Sequence, residues 1–212
     1  MRDKRMRETI WSPAEMRTFL GAVEGDRRYA AWLLLCTTGM RRGEVLGLPW
    51  SAVDLDGASI RIEQALTMVG RVPTITSVKS DASAAQLPLD PATVAAFRRH
   101  KKQQAEDRLA WGEHYVPSGL VFTEEDGAPI HPDRFLRAFK RHALEAGLRP
   151  ITIHNVRHSY ASALLSSGQP MKVISERLRH AGIAITADRY AHLSPDLERA
   201  SAEAGAAYIL GG

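Results

Sequence analysis

The stretch YAAWLLLCTT, residues 29 to 38, constrains the fold of this chain most because it is apolar on every side. A helix that is hydrophobic all round is stable in water only when other elements cover it. Gly39 interrupts this helix, and the stretch RRGEVLGL after it continues as a short further helix. The sequence therefore predicts a helix that lies inside a folded core and ends at a break near Gly39.

Signals for helices and strands fill the rest of the chain. A capping box from Ser12 to Glu15 starts the first helix, and Asp90 caps a long one. Between them, alternating and β-branched residues predict short strands in ASIRIEQALTMV, VPTITSV and AAQLPL. LVFT reads as a short buried strand, and HPDRFLRAFKRHALEAG as a helix that a glycine ends. We expect an α+β fold, mainly helical with a small three-stranded antiparallel sheet.

Composition narrows the class of protein. The chain has 212 residues, 44% of them hydrophobic and 25% charged, which is typical of one globular domain or a domain with a small appendage. We expect no transmembrane segment and no signal peptide. The single cysteine, Cys36, excludes a disulfide framework or a cysteine-based zinc site, so a cytosolic protein with a buried thiol is expected. A net charge of +4 permits nucleic-acid binding without requiring it.

The segment HNVRHSY places three groups that can carry positive charge on one helical face: His154, Arg157 and His158. Such a face is unfavourable unless it holds an anion. Another interpretation is that His158 is a hydrogen-bonded core histidine and Arg157 a solvated surface charge. The spacing alone does not choose between the two.

Four segments, taken in order, resemble the tyrosine recombinases of the phage-integrase family. TTGMRRGEVLGLPW is similar to the family's T-G-x-R-x-x-E box, HNVRHSY to its H-x-L-R-H box, and ERLRHAGIAITADRYAHL to its third box. In VKSDASAAQLPLD, Lys79 precedes Pro88 by the nine residues seen in the family's sheet segment. The resemblance covers roughly residues 10 to 195 and implies the catalytic-domain fold of these enzymes.

The resemblance assigns chemical roles to several residues. Arg41 and Arg157 would bind the non-bridging oxygens of a DNA phosphodiester and stabilise the charge of the transition state, with Glu44 orienting Arg41. Tyr190 would be the nucleophile, giving a 3′-phosphotyrosyl link and a free 5′-hydroxyl. Taken alone, Tyr190 reads more easily as a half-buried packing tyrosine.

Three further residues would move protons or hold the phosphate. His154 lies at the predicted start of its helix, where the dipole favours the neutral imidazole, so general acid–base work is plausible. His180 would donate a hydrogen bond to a phosphate oxygen, and Lys79 would protonate the 5′-oxygen leaving group. A solvated hairpin lysine is the alternative for Lys79. The family's scheme requires no cofactor, neither ATP nor a metal ion.

The sequence departs from the family pattern at three places. Residues 83 to 86 read Ser-Ala-Ala-Gln where two basic residues are usual, which puts the role of Lys79 in question. Asn155 replaces a frequent aspartate, and Arg179 stands where a glycine precedes the second histidine. If that position needs a positive φ, an arginine there is strained.

Basic clusters on two predicted helices are candidates for sequence-independent phosphate contacts. For the cluster FRRHKK, a solvated helix face explains the basic residues equally well. The candidates are Arg98, Arg99, Lys101, Lys102, Arg134, Arg137, Lys140 and Arg141.

The resemblance implies one catalytic domain, with residues 1–11 as a linker remnant, 12–193 as the core and 194–212 as a tail helix. It also implies that the family's N-terminal core-binding domain is absent. The expected partners are a double-stranded DNA attachment site and a homotetramer on that DNA, with no membrane. We expect the protein to be encoded by a bacterium or a phage and to lie in the bacterial cytoplasm, associated with the nucleoid. The alternatives are a type IB topoisomerase-like enzyme that relaxes DNA, and a DNA-binding regulatory module that does not cleave.

Overall fold

The computed structural model describes residues 9–70, 72–77 and 86–179. These residues form seven α-helices, and none of the seven is long and apolar enough to cross a membrane. The helices are α1 (Pro13–Ala22), α2 (Tyr29–Thr38), α3 (Arg42–Leu46), α4 (Pro91–Trp111), α5 (Pro132–Glu145), α6 (Ile153–Ser166) and α7 (Met171–Leu178), with single 3-10 turns at Trp50–Ala52 and Gly112–His114.

The strands form two small antiparallel sheets. The first contains three strands in the order β1 (Val53–Asp54), β2 (Ser59–Arg61) and β5 (Gln86–Pro88). The second is the hairpin of β3 (Gln64–Val69) and β4 (Val72–Ser77). The mainly helical fold with a small antiparallel sheet is confirmed.

The sheet pairing differs in detail from the sequence-based prediction. The stretch ASIRIEQALTMV, predicted as a single strand, is divided between β2 and β3, because the chain leaves one sheet at Ile62 and Glu63 before it enters the other. LVFT is not a regular strand, since Leu120 and Thr123 form only isolated bridges to Pro49 and Pro129.

Capping groups predicted from the sequence start the helices. The Ser12 hydroxyl accepts a hydrogen bond from the Glu15 amide at 3.2 Å, and the Glu15 carboxylate accepts one from the Ser12 amide at 2.7 Å. The Asp90 carboxylate accepts one from the Thr93 amide at 3.0 Å, which fixes the first turn of α4. These bonds satisfy amides that the helices themselves leave unpaired.

Helix α2 lies in the main hydrophobic core, as its composition predicts. Trp32 is fully buried and stacks on Phe135 of α5 with ring centroids 4.2 Å apart. Cys36 is also buried, and burial raises the pKa of its thiol to about 12. The expectation of a buried thiol is confirmed, and the thiolate needed for oxidation or alkylation is scarce at neutral pH.

The folded core begins before Ser12. Trp11, assigned from the sequence to the linker remnant, is 1% exposed and packs against Phe19 and Phe139 with ring centroids 5.2 and 5.4 Å away. Its amide donates to the Ser159 hydroxyl at 2.8 Å. Asn155 donates through Nδ2 to the carbonyl of Thr9 at 2.8 Å, a bond that an ionised aspartate is unable to donate.

A second, smaller hydrophobic cluster lies between α6 and α7. It contains Tyr160, Ala161, Leu165, Ile174 and Leu178. Gly39 lies against this cluster with a φ of 65°, and a Cβ there would come within 2.7 Å of Tyr160 and 2.8 Å of Leu178. Gly39 therefore serves two needs, a left-handed backbone and close contact with the second cluster.

We expect Gly39→Ala to lower the free energy of unfolding by about 2–4 kcal/mol, because left-handed strain adds to overpacking. Urea denaturation followed by circular dichroism measures this. Gly21→Ala is the matched control, since Gly21 lies inside α1 and a Cβ there meets nothing within 4 Å. The control should gain up to about 1 kcal/mol. Equal effects at the two glycines would contradict this explanation of Gly39.

His100 gives the fold a pH dependence. It is 7% exposed, its Nε2 lies 2.7 Å from the Val121 carbonyl, and burial lowers its pKa. In the unfolded chain the imidazole titrates near its ordinary value of about 6.5, so the unfolded state binds more protons as the pH falls through that value. Stability from this group is therefore complete above about pH 6.5 and is lost toward the lower folded pKa.

We expect the free energy of unfolding to fall between about pH 7.5 and about pH 5.5, and to fall less in His100→Gln, whose amide can still donate to a carbonyl. Urea titrations at the two pH values measure the difference. His114→Gln is the control because His114 is exposed. If His100→Gln keeps the full pH dependence, another group causes it.

Candidate active site

A cavity of about 460 Å³ brings three of the predicted catalytic residues together. Arg41 comes from the start of α3, His154 and Arg157 come from α6, and Lys140 of α5 lies on the same wall. Arg41 lies about a hundred positions before the other three residues in the sequence, and the packing of α3, α5 and α6 brings the four together. The cavity wall is therefore rich in groups that hold anions.

The first turn of α6 positions the histidines. Thr152 caps the helix, its hydroxyl accepting from the Asn155 amide at 3.2 Å, so His154 is the second helical residue as predicted. The His154 ring is exposed and meets the His158 ring edge-on, with centroids 4.9 Å apart. Arg157 lines the same cavity but is 3% exposed, so the interpretation of Arg157 as a solvated surface charge is wrong.

Arg157 is 3% exposed and bridges two segments of the chain. Its Nη1 donates to the Gly39 carbonyl at 2.7 Å, and its Nη2 donates to the Leu178 carbonyl. The first carbonyl lies just before Arg41, and the second ends α7. The side chain thus lines the cavity and also joins the segment before α3 to the end of α7.

Glu44 is buried and holds Arg41 by two contacts. Its Oε1 accepts from the Arg41 guanidinium at 2.7 Å, and its Oε2 accepts from the Arg41 amide at 2.8 Å. The Arg41 side chain keeps 48% of its surface exposed, so the guanidinium is oriented but still accessible to a ligand. The predicted orienting role of Glu44 fits this geometry.

Arg179 has a left-handed conformation, with φ 53° and ψ 46°, so the condition under which the sequence predicts strain is met. Its guanidinium donates to Glu44 Oε2 at 2.5 Å in a contact that is almost fully buried. Sequence reasoning treated Arg179 only as a departure and missed this partner. The available signal was an arginine at a position suited to glycine, where some interaction must offset the strain.

The hairpin that leads toward Lys79 packs directly on α3. A Cβ at Gly43 would come within 2.8 Å of the Leu66 carbonyl, and one at Gly47 within 2.6 Å of the Leu66 amide. Lys79 itself, like His180 and Tyr190, lies outside the described residues. Their assignments stay predictions.

The candidate phosphate-binding residues have different surroundings. Lys140 lines the cavity, whereas Arg134 and Arg141 on the same helix have carboxylates of Glu124 and Glu145 at 3.6 Å. On α4, Arg98 pairs with Asp56 at 3.0 Å. Of the others, Lys101 lies 5.2 Å from the Trp50 ring centroid, Arg99 lies 6.0 Å from the Tyr29 ring centroid, Lys102 lies 3.9 Å from Glu106, and Arg137 is exposed. All eight remain candidates.

Within the described ranges, no group of three or more histidine, cysteine, aspartate or glutamate side chains is arranged to hold a metal ion. The cavity chemistry described above comes from guanidinium, ammonium and imidazole groups.

Curated relatives share most of this chain. A tyrosine recombinase XerC-like protein of Caldanaerobacter subterraneus subsp. tengcongensis is 32% identical over 197 residues, which cover 87% of this chain and 50% of the relative. The ICEBs1 integrase of Bacillus subtilis is 26% identical over 94% of this chain and 54% of its own length. The chain therefore spans about half the length of these relatives.

Solved structures share the fold. The Tn1549 transposon integrase in complex with transposon right end DNA superposes with a TM-score of 0.76 at 23% identity, over 92% of this chain and 65% of that one. The XerA recombinase gives a TM-score of 0.69 at 23% identity, over 91% and 61%. The sequence pattern of the phage integrase family matches residues 12–196. The chain belongs to the phage integrase family.

Proposed function

We propose that this chain cleaves and rejoins double-stranded DNA through a 3′-phosphotyrosyl intermediate, as the catalytic part of a site-specific recombinase. The observation that carries the proposal is the cavity lined by Arg41, Arg157 and His154. A phosphodiester resists nucleophiles because its oxygens are negative, and two guanidiniums that face one cavity supply the opposite charge.

The proposed reaction forms and breaks one bond to phosphorus in each step. The Tyr190 oxygen attacks phosphorus, the phenol proton passes to the general base His154, and the 5′-oxygen leaves with a proton from Lys79. Arg41 and Arg157 neutralise the non-bridging oxygens, and His180 donates to one of them. The reverse attack by a 5′-hydroxyl restores the phosphodiester, so the phosphotyrosine conserves the bond energy.

The names of the relatives support DNA as the partner. The Tn1549 integrase structure contains transposon right end DNA, and a lambda integrase dimer has been solved on a core site. We extend the proposal to a homotetramer on an attachment site, nucleoid-associated in a bacterial cell. Lys140 and the other basic residues of α4 and α5 would hold backbone phosphates, with affinity that falls as salt rises.

A duplex library with a randomised core and one nick at a fixed position in that core tests the proposal without knowledge of the target site. We expect a fraction of this DNA to become covalently attached to the chain, because the fragment beyond the nick diffuses away and prevents rejoining. Denaturing gels measure the adduct, and sequencing of the captured DNA gives the site.

Tyr190→Phe should form no adduct while still binding DNA in a gel-shift titration. If the parent binds but never becomes attached, the chain is a non-cleaving DNA-binding module. If it relaxes supercoiled plasmid but exchanges no strands between duplexes, the topoisomerase-like alternative holds.

Lys79→Ala tests the general acid. Loss of a general acid typically slows a step by on the order of 10²–10⁴-fold. A DNA with sulfur in the 5′-bridging position releases a thiolate that scarcely needs the proton, so Lys79→Ala should recover most of its rate on it. The rate of adduct formation on the two substrates measures this.

Arg41→Ala is the control because its defect, loss of charge stabilisation on the non-bridging oxygens, should persist on the sulfur substrate. Arg41 suits this purpose better than the buried Arg157, whose loss also removes two backbone hydrogen bonds. If Lys79→Ala is equally slow on both substrates, Lys79 is not the general acid.

A further inference from the structure

Arg41, Glu44 and Arg179 form a chain of contacts across the wall of the candidate active site. Glu44 accepts from Arg41 through Oε1 at 2.7 Å and from Arg179 through Oε2 at 2.5 Å. The Glu44 and Arg179 side chains are 4% and 5% exposed, so the contact between these two side chains is shielded from water. Ion pairs in such surroundings are far less screened than those on a surface.

The backbone of Arg179 shows that this arrangement is costly. The residue is left-handed at a site that suits glycine, and its buried Nη1 has no hydrogen-bond partner among the described residues. A left-handed arginine is unfavourable by itself, and so is a buried nitrogen that no described residue pairs. Among the described residues, the ion pair with Glu44 stabilises this arginine.

We infer that Arg179 is a positioning residue for Arg41, acting through Glu44. This inference rests on the proposed function of the cavity. Arg179 and the Arg41 amide both donate to Oε2 of Glu44, which holds Oε1 in a set direction to orient the Arg41 guanidinium. The end of α7 is thereby connected to the start of α3.

The net charge of Arg41, Glu44 and Arg179 has a second consequence. A glycine at position 179 would leave Arg41 and Glu44 as a neutral pair, whereas Arg179 makes the group of three carry a net charge of +1. Arg41 then shares its carboxylate with a second cation, so less of its charge is neutralised inside the protein. More of it remains for a bound phosphate.

The test compares Arg179→Gly with Arg177→Ala in the nicked-duplex adduct assay. Arg177 is the matched control because it lies in the last turn of α7 and donates to the Tyr160 hydroxyl instead of to Glu44. We expect Arg179→Gly to form adduct about tenfold more slowly at saturating DNA, a size typical of coupled neighbours. Its melting temperature should stay near that of the parent, because relief of the left-handed strain offsets the lost ion pair.

Two further variants separate positioning from a purely structural role. Arg179→Lys keeps the charge on Glu44 and should recover part of the rate. In a Glu44→Gln background, Arg179→Gly should have little further effect, because the connection is already broken. If Arg179→Gly reacts as fast as Arg177→Ala, or if its effect is the same in the Glu44→Gln background as in the parent, the inference is wrong.

A readout independent of cleavage keeps this test separate from that of the proposed function. The ¹⁵N–¹H signal of the Arg41 Nε, identified with Arg41→Lys, is followed with and without inorganic phosphate. We expect Arg179→Gly to shift or broaden this signal and to weaken phosphate binding, with no change in Arg177→Ala. If the parent forms no adduct, the proposed function fails and this signal still decides the role of Arg179. An Arg41 signal and a phosphate affinity that match the parent in Arg179→Gly would overturn the inference.

Discussion

The guanidinium of Arg157 joins the end of α2 to the end of α7 by hydrogen bonds. It donates to the carbonyl of Gly39, which ends α2, and to the carbonyl of Leu178, which ends α7. A buried cation surrounded by carbonyls is stable only when its hydrogen bonds are made, so the positions of both carbonyls are tied to this one side chain. The segment before Arg41 and the segment before His180 therefore keep a fixed relation.

Much of the fold was predictable because local signals and burial agreed. The apolar α2, the capping groups of Ser12 and Asp90, and the break at Gly39 follow from chemistry that acts over a few residues. The division of the predicted strand between two sheets was not predictable in this way. It depends on which strand lies beside it, and β5 comes more than twenty residues later.

In the candidate site, too, contacts between distant segments were not predictable from local sequence signals. The family resemblance implies that Arg41 and Arg157 bind phosphate, but it does not indicate that one is half exposed and the other buried. That difference matters for experiment, because a change at Arg157 alters the fold and the site together. The pair of Arg179 and Glu44 joins residues 135 positions apart, and no pattern within either segment indicates it.

The division of the core into two clusters has a consequence for the thermal behaviour of the molecule. Among the described residues, the cluster between α6 and α7 has five buried members, far fewer than the main core, so opening α7 exposes much less of this apolar surface than global unfolding does. Such sub-global opening costs less free energy than complete denaturation. Opening α7 would also remove Leu178 from Arg157 and Arg179 from Glu44, while the aromatic core around Trp32 stays intact. Because Arg157 and Glu44 each bind the end of α7, we expect warming to break these contacts before the main core melts.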